Sequence, residues 1–312
     1  MYIFPCIIKH YGTDLYETGV RCKCTVHRRR SFTARPPSRS ESLMAHFAAA
    51  FVFAAVAPPD DRLEIAPGVY MPRVSCGHPD DQAKNATAAT LAWILAGGMG
   101  IDTADSYHNQ PEIAVAIAAS GVERKKLFIT TKVPCEGDVY ANIEEDLREL
   151  QTSYVDLMLI HFPCKDLDGT RNAWKALQAA HDAGLARSIG VSNFLAADLD
   201  AVMALGGVTP SLNQCQMSVG SHDDAMINKT RAAGATYEAY SPLRHVDLSD
   251  PTLTKIAHDH NVSTAQVALR WIYQQGIQIT TSPGEDPVYI AEDLALSSFA
   301  LTADEMATLS AM

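Results

Sequence analysis

The stretch Gly100-Ile101-Asp102-Thr103-Ala104-Asp105-Ser106-Tyr107-His108-Asn109 follows an apolar segment and places a carboxylate, Asp102, five residues before a tyrosine, Tyr107. The carboxyl ends of the strands of a parallel barrel all open on one face. Two later runs also have the pattern of buried strands that end on one ionisable residue: Phe128-Ile129-Thr130-Thr131-Lys132 and Asp156-Leu157-Met158-Leu159-Ile160-His161. The sequence therefore predicts that the side chains of Asp102, Tyr107, Lys132 and His161 meet on one face of such a barrel.

Short β-rich runs alternate with amphipathic segments from Arg62 onward, which is typical of βα units on a parallel sheet. Pro67-Gly68 separates two short runs and predicts a small hairpin. Eight further strands are predicted near residues 73–77, 100–104, 127–133, 155–161, 187–192, 211–216, 235–240 and 277–281. This count predicts the α/β class, with a (β/α)8 TIM barrel over residues 59–312 and an N-terminal β-hairpin.

Residues 1–58 are predicted to form a poorly structured N-terminal extension outside the barrel. They hold eight Lys/Arg and three Asp/Glu, against 17 and 33 in the rest of the chain. This basic, Ser-rich composition is typical of a transit peptide, and the apolar run 43–57 resembles the core of a signal peptide. Two alternatives stay open: targeting to an organelle or the secretory pathway, or a helix that lies against a cytoplasmic protein.

Composition narrows the class of protein. The net charge of -11 argues against a nucleic-acid-binding surface, which needs basic stripes. The run 43–57 is too short to cross a bilayer as a helix, so no membrane span is expected. No metal site and a reducing compartment are predicted, because the cysteines are scattered without C-x-x-C spacing: Cys6, Cys22, Cys24, Cys76, Cys135, Cys164 and Cys215.

The four ionisable residues at the strand ends are suited to general acid catalysis. A tyrosine is a poor acid near neutral pH because its reference pKa is about 10. A lysine ammonium beside it lowers that pKa, and a carboxylate keeps the lysine charged and in place. Asp102, Lys132 and Tyr107 therefore suffice for a general acid, and His161 would orient a carbonyl oxygen or share the proton. The predicted chemistry is protonation of a carbonyl oxygen as a hydride reaches its carbon.

Specific motifs surround these residues: Asp102-Thr103-Ala104 with Tyr107 and Asn109, Thr131-Lys132, Ile160-His161-Phe162-Pro163, Gly190-Val191-Ser192-Asn193-Phe194, Asn213-Gln214, Tyr240-Ser241-Pro242-Leu243 and Gln266-Val267-Ala268-Leu269-Arg270-Trp271. With them the sequence resembles the aldo-keto reductase family from about Arg62 to Met312. By this resemblance, Asp102, Tyr107, Lys132 and His161 match the catalytic tetrad of the family, and Tyr107, His161 and Phe162 would bind substrate.

The resemblance also implies a nicotinamide cofactor and the residues that hold it. Ser192, Asn193 and Gln214 match the residues that hold the nicotinamide carboxamide, and Tyr240 matches the aromatic that stacks on the ring. The remaining matches are Ser241 and Leu243, in the turn beside the pyrophosphate, and Ser282, in the phosphate clamp.

The cofactor clamp departs from the family pattern. The family's Pro-Lys-Ser, followed by an Arg, binds an adenosine 2'-phosphate; here the residues are Thr280-Thr281-Ser282, with Tyr289 near the place of the arginine and Asp293 in place of an Asn. Glu285 and Asp286 would repel that phosphate and accept hydrogen bonds from ribose hydroxyls instead. The family implies NADP(H), the local charges favour NAD(H), and both stay open.

The substrate side departs as well. Family members usually continue the opening Gly with Thr and an aromatic, whereas Gly77 is followed by His78 and Pro79. The next helix is predicted near Thr170, soon after His161, and the chain ends within its last helix. We therefore expect an open pocket with broad, weak selectivity.

The predicted function is NAD(P)H-dependent reduction of small aldehydes or ketones to alcohols by a monomeric enzyme with Tyr107 as general acid. Two alternatives remain: a catalytically weak, cofactor-binding redox sensor or accessory subunit, and a relic that binds no dinucleotide. The physiological substrate is not predicted by the sequence.

Overall fold

The computed structural model describes residues 61–77 and 85–312. The predicted extension 1–58, with its apolar run 43–57 and Cys6, Cys22 and Cys24, lies outside the described residues, and so do His78 and Pro79.

Eight parallel strands close into a barrel in which each strand pairs with the next one along the chain and the last pairs with the first. This confirms the predicted barrel, and the predicted strand ends differ from the observed ones by two residues or fewer. The strands are β3 (Val74–Gly77), β4 (Gly100–Asp102), β5 (Phe128–Val133), β6 (Val155–Ile160), β7 (Ala186–Ser192), β8 (Leu212–Gln216), β9 (Thr236–Tyr240) and β10 (Gln278–Thr281).

A hairpin of β1 (Arg62–Ala66) and β2 (Val69–Pro72) precedes the barrel, as predicted. Gly68, with a φ of 74°, makes the turn that connects the two strands. The hairpin buries apolar side chains against the inward-facing residues of the barrel strands, in one cluster of Ile65, Val69, Met71, Phe128, Leu157, Leu159 and Leu212. The hairpin therefore closes the amino-terminal end of the barrel and leaves the carboxyl end open for a site.

Helices cover the outside of the barrel. Those in the described residues are α1 (Ala86–Leu95), α2 (Gln110–Ser120), α3 (Val139–Glu149), α4 (Leu167–Asp182), α5 (Ala196–Met203), α6 (Asp224–Ala232), α7 (Pro251–His260), α8 (Thr264–Gln274), α9 (Pro287–Leu294) and α10 (Ala303–Ser310). The helix after His161 begins at Leu167 rather than near Thr170, because Asp166 caps it by accepting a hydrogen bond from Gly169 N. Within this part of the chain no helix is long and apolar enough to cross a membrane.

The main hydrophobic core lies between the strands and the helices and includes three fully buried tryptophans, Trp93, Trp174 and Trp271. The Trp93 indole donates to Gly100 O at 2.9 Å, at the start of the strand that ends on Asp102. A Cβ on Gly98 would lie 2.2 Å from that indole ring, so only glycine fits there. The sharp turn before β4 is therefore fixed by packing, and with it the position of Asp102.

Candidate active site

A buried ion pair forms the floor of the site. Lys132 on β5 and Asp102 at the end of β4 are 1% and 2% exposed, and Lys132 Nζ lies 2.6 Å from Asp102 Oδ1. The ammonium also donates to Thr103 O at 2.9 Å. Burial alone would lower the pKa of Lys132, but Asp102 and other neighbouring groups raise it above its ordinary value. These charges therefore favour the cationic form of the lysine.

Tyr107 lies above this pair. A 3-10 turn, Asp105–Tyr107, follows β4, and His108 then takes a left-handed conformation with a φ of 52°. Thr103 Oγ1 donates to Asn109 Oδ1 at 2.6 Å, which ties together the two ends of this loop. As a result Lys132 Nζ lies 4.9 Å from the centroid of the Tyr107 ring.

His161 follows the end of β6 and faces the same tyrosine, with 5.5 Å between the ring centroids. Its Nδ1 lies 3.4 Å from Ser106 Oγ. Burial and the Lys132 cation lower the pKa of His161 to about 3, so the imidazole is neutral near pH 7. Phe162 stacks on His161 at 4.8 Å and is 55% exposed, which places it at the outer rim.

Polar side chains on β7, β8 and β9 extend the site. Ser192 Oγ donates to Gln214 O at 2.9 Å, and Asn193 Nδ2 donates to His161 O at 3.0 Å. Asn193 adopts a φ of 60°, and its Oδ1 accepts a hydrogen bond from Tyr240 OH at 2.8 Å. Ser192 and Asn193 thus form hydrogen bonds within the protein, and these bonds fix the positions of the neighbouring groups.

Gln214 connects this group to the ion pair. Its Nε2 donates to Asp102 Oδ2 at 2.9 Å and to Glu238 Oε2 at 2.8 Å. The other oxygen of the Glu238 carboxylate accepts from Thr280 Oγ1 at 2.8 Å. Two buried carboxylates therefore lie beside one buried lysine.

A cavity of about 730 Å³ opens above this floor. Its size falls within the usual range for a small-molecule site. Seven of the predicted residues line it: Asp102, Tyr107, Gln214, Tyr240, Ser241, Leu243 and Ser282. The other predicted residues do not line it. Lys132, His161, Ser192 and Asn193 contact residues that do, and Phe162 stacks on His161.

One end of the cavity is acidic. Glu292 and Asp293 line it beside Tyr289, and burial raises the pKa of Asp293 to about 6. Of the described residues around the cavity, Arg244 is the only cation. It lies one residue beyond Leu243 in the loop after β9.

A disulfide joins Cys135 to Cys164, with 5.3 Å between their Cα atoms. The two cysteines follow Lys132 and His161 in the loops after neighbouring strands β5 and β6. The prediction from the scattered cysteines that the chain belongs to a reducing compartment missed this pair. The two cysteines are 29 residues apart in the sequence, and this spacing alone does not predict a disulfide, because their contact depends on the barrel topology.

Sequence reasoning also missed Glu238 as part of the site and its hydrogen bond with Thr280, which was named only as part of the cofactor clamp. A signal was present in Glu238, a carboxylate in the middle of a predicted barrel strand between Tyr237 and Ala239. A charged side chain in such a strand must be paired, because burying an isolated charge is costly. The described residues contain no group of three or more His, Cys, Asp or Glu arranged to hold a metal ion.

Comparisons with known proteins identify relatives of this chain. The chain is 35% identical over 260 residues to morphine 6-dehydrogenase of Pseudomonas putida, covering 78% of this chain and 88% of that protein. It is 34% identical to glyoxal reductase of Bacillus subtilis, covering 81% and 92% of the two chains.

Solved structures resemble it as well. An aldo/keto reductase from Brucella melitensis superposes with a TM-score of 0.76 at 32% identity, covering 80% of this chain and 98% of that one. The aldo-keto reductase of Bombyx mori in complex with NADP gives 0.75 at 29% identity, covering 82% and 93%. The sequence profile of the aldo/keto reductase family matches residues 76–312. The chain therefore belongs to the aldo/keto reductase family, whose members are oxidoreductases.

Proposed function

We propose that this protein reduces small aldehydes or ketones to alcohols with NAD(P)H and that Tyr107 is the general acid. The observation that carries the proposal is the position of Tyr107, which lines the cavity with the Lys132 ammonium 4.9 Å from its ring. A cation fixed at this place favours loss of the tyrosine proton, because it stabilises the phenolate that remains.

The residues around the cavity fit a nicotinamide dinucleotide. Tyr240 offers an aromatic ring for stacking on a planar group, and Gln214 offers a polar amide beside it. Ser241, Leu243 and Arg244 follow in one loop, where the arginine would pair with a pyrophosphate. Gly77 also lines the cavity, and a Cβ there would lie 2.6 Å from Thr280 Cγ2, so only glycine fits beside this threonine.

Each residue of the tetrad has a separate role in the proposed reaction. A bound reduced nicotinamide supplies a hydride to the carbonyl carbon. Tyr107 donates its proton to the carbonyl oxygen, while Lys132 stabilises the phenolate and Asp102 holds the lysine charged. His161 is neutral near pH 7, so it acts as a hydrogen-bond partner that orients the carbonyl oxygen.

The charges around the cavity favour NADH over NADPH. Glu292 and Asp293 lie beside Tyr289, where an adenosine 2'-phosphate would need cations. Arg244 follows the turn matched to the pyrophosphate and is therefore assigned to that group. Acidic residues accept hydrogen bonds from ribose hydroxyls and repel a phosphate. We therefore expect NADH to be used at least as well as NADPH.

Small, reactive carbonyl compounds are the proposed substrate class. Phe162 is largely exposed at the rim, and the loop between β6 and α4 spans only residues 161–166. Among the described residues, few side chains are thus available to select a bulky substrate. The relative from Bacillus subtilis is named glyoxal reductase, which makes glyoxal a suitable first substrate.

The test is the initial rate of NADH and of NADPH oxidation by the full chain with glyoxal. Tyr107→Phe is expected to lower kcat/KM by about 10²- to 10⁴-fold, the usual contribution of a general acid. Tyr70→Phe is the matched control, because Tyr70 lies on the hairpin at the other end of the barrel. A Tyr107→Phe enzyme as active as wild type would refute the role of Tyr107. Cofactor binding without turnover of a broad carbonyl panel would favour the redox-sensor alternative.

A further inference from the structure

Glu238 is a fully buried carboxylate in the middle of β9. It pairs in register with Gln214 on β8 and with Gln278 on β10. Its two oxygens accept hydrogen bonds from Gln214 Nε2 and from Thr280 Oγ1, each at 2.8 Å. A buried carboxylate is costly for a fold unless its hydrogen bonds and neighbouring charges compensate. The tetrad chemistry does not require this group, so its presence needs another explanation.

The hydrogen bonds of Gln214 supply that explanation. A side-chain amide nitrogen carries two hydrogens, and here one is donated to Asp102 and the other to Glu238. An ionised carboxylate only accepts hydrogen bonds, so the amide cannot turn its oxygen toward either partner. The orientation of Gln214 is thus determined, and its carbonyl oxygen is the atom left for the cavity that Gln214 lines.

The charged groups that face Glu238 can change this arrangement with pH. Asp102 of β4 and Lys132 of β5 act on it, whereas the adjacent strands contribute the uncharged Gln214, Gln278 and Thr280. Burial and the Asp102 carboxylate raise the pKa of Glu238 to about 7, against the opposing effects of its hydrogen bonds and of Lys132. Once protonated, Glu238 would carry an O–H that competes for the carbonyl oxygen of Gln214, and only the Asp102 carboxylate would still hold the amide nitrogen in place.

We propose that Glu238 is a positioning residue that locks the Gln214 amide with its oxygen toward the cavity, where it accepts a hydrogen bond from the primary amide of a bound nicotinamide. The inference rests on the proposed function, since it needs a nicotinamide cofactor in this cavity. Glu238 does not itself reach the reacting atoms. Its effect is on cofactor affinity and on how that affinity depends on pH.

The test is fluorescence titration of NADH into the full-length protein between about pH 6 and about pH 8.5. For wild type, Kd is expected to rise about tenfold as the pH falls, the equivalent of one hydrogen bond. Glu238→Gln removes the titratable group at this position and introduces an amide N–H, which can donate to the carbonyl oxygen of Gln214. At about pH 8.5 its Kd is expected to be about tenfold higher than that of wild type, and this Kd should not change with pH.

Asp146→Asn is the matched control. Asp146 is also buried, accepts hydrogen bonds from a glutamine amide and a threonine hydroxyl, and has a pKa raised by burial to about 7. It lies on α3 and does not line the cavity or contact Gln214. Its substitution should therefore leave the Kd for NADH and the pH dependence of that Kd unchanged.

The pH dependence of the wild-type Kd decides the matter even if Glu238→Gln does not fold. A wild-type Kd that does not change with pH overturns the proposal. In a Gln214→Ala background, Glu238→Gln should have no further effect on Kd if it acts through Gln214, and an undiminished effect there contradicts that role. A wild-type protein that binds neither NADH nor NADPH overturns both this inference and the proposed function. Cofactor binding that is unchanged in Glu238→Gln overturns only the role of Glu238.

Discussion

The disulfide between Cys135 and Cys164 should stabilise the barrel measurably. It closes a segment with a sequence separation of 29 residues that runs from the loop after β5 to the loop after β6. In the chain-entropy description, closing a loop of about 30 residues lowers the conformational entropy of the unfolded chain. This raises the free energy of unfolding by about 3.6 kcal/mol at 25 °C. For a domain of this size, each kcal/mol shifts Tm by roughly 2–4 °C. The double substitution Cys135→Ser, Cys164→Ser is therefore expected to lower Tm by roughly 7–14 °C.

Thermal unfolding followed by circular dichroism, with and without a reducing agent, provides the measurement. Wild type should lose stability on reduction, whereas the double variant should be insensitive to the reductant. Cys215→Ser is the matched control, since Cys215 is a half-buried free thiol on β8. Peptide mapping under non-reducing conditions should recover residues 135 and 164 in one linked pair. The reasoning fails if both cysteines are recovered as thiols, or if the double variant melts within about 2 °C of wild type.

Two further predictions follow from charges in the site. The pKa of His161 is lowered from 6.5 to about 3 in the folded protein, so the unfolded chain binds one more proton between these values. The stability that His161 contributes is thus complete above about pH 6.5 and is lost as the pH falls toward 3. In urea unfolding, the free energy of unfolding of His161→Gln should therefore fall less steeply with decreasing pH than that of wild type. Equal slopes of this free energy against pH would contradict the lowered pKa. Tyr289→Arg places a cation at the acidic end of the cavity. It should raise the ratio of kcat/KM for NADPH to kcat/KM for NADH by about tenfold, as one charge-assisted hydrogen bond would. An unchanged ratio would show that the 2'-phosphate does not bind there.

The fold could be predicted closely because it depends on local patterns. Each barrel strand lies within a short β-rich run, and the glycines that end helices, such as Gly121 and Gly184, have positive φ values of 67° and 77°. These signals are contained within a few residues of sequence, and the barrel follows from counting them. The start of α4 at Leu167 was missed by three residues because the capping residue, Asp166, lies in a loop without apolar periodicity.

The site was predictable where a strand end determines the direction of a side chain. Asp102 ends a barrel strand, Lys132 is the penultimate residue of another and His161 directly follows a third, so the topology alone brings them together. The contacts of Glu238 could not be derived in this way, because they depend on the register between β8, β9 and β10. The pairing of Cys135 with Cys164 was hidden for the same reason, since it joins two loops whose distance depends on the closed barrel.

The neutral side chain of Gln214 explains how one lysine can serve this site. Asp102 and Glu238 are two carboxylates, and both accept hydrogen bonds from the same amide nitrogen. A cation at that position would compete with Lys132 for Asp102, because buried carboxylates bind the nearest positive charge most strongly. Lys132 would then lose the partner that keeps it charged 4.9 Å from the Tyr107 ring. An amide satisfies both carboxylates without adding charge, so the only positive charge among these buried groups stays below the tyrosine that is proposed to donate the proton.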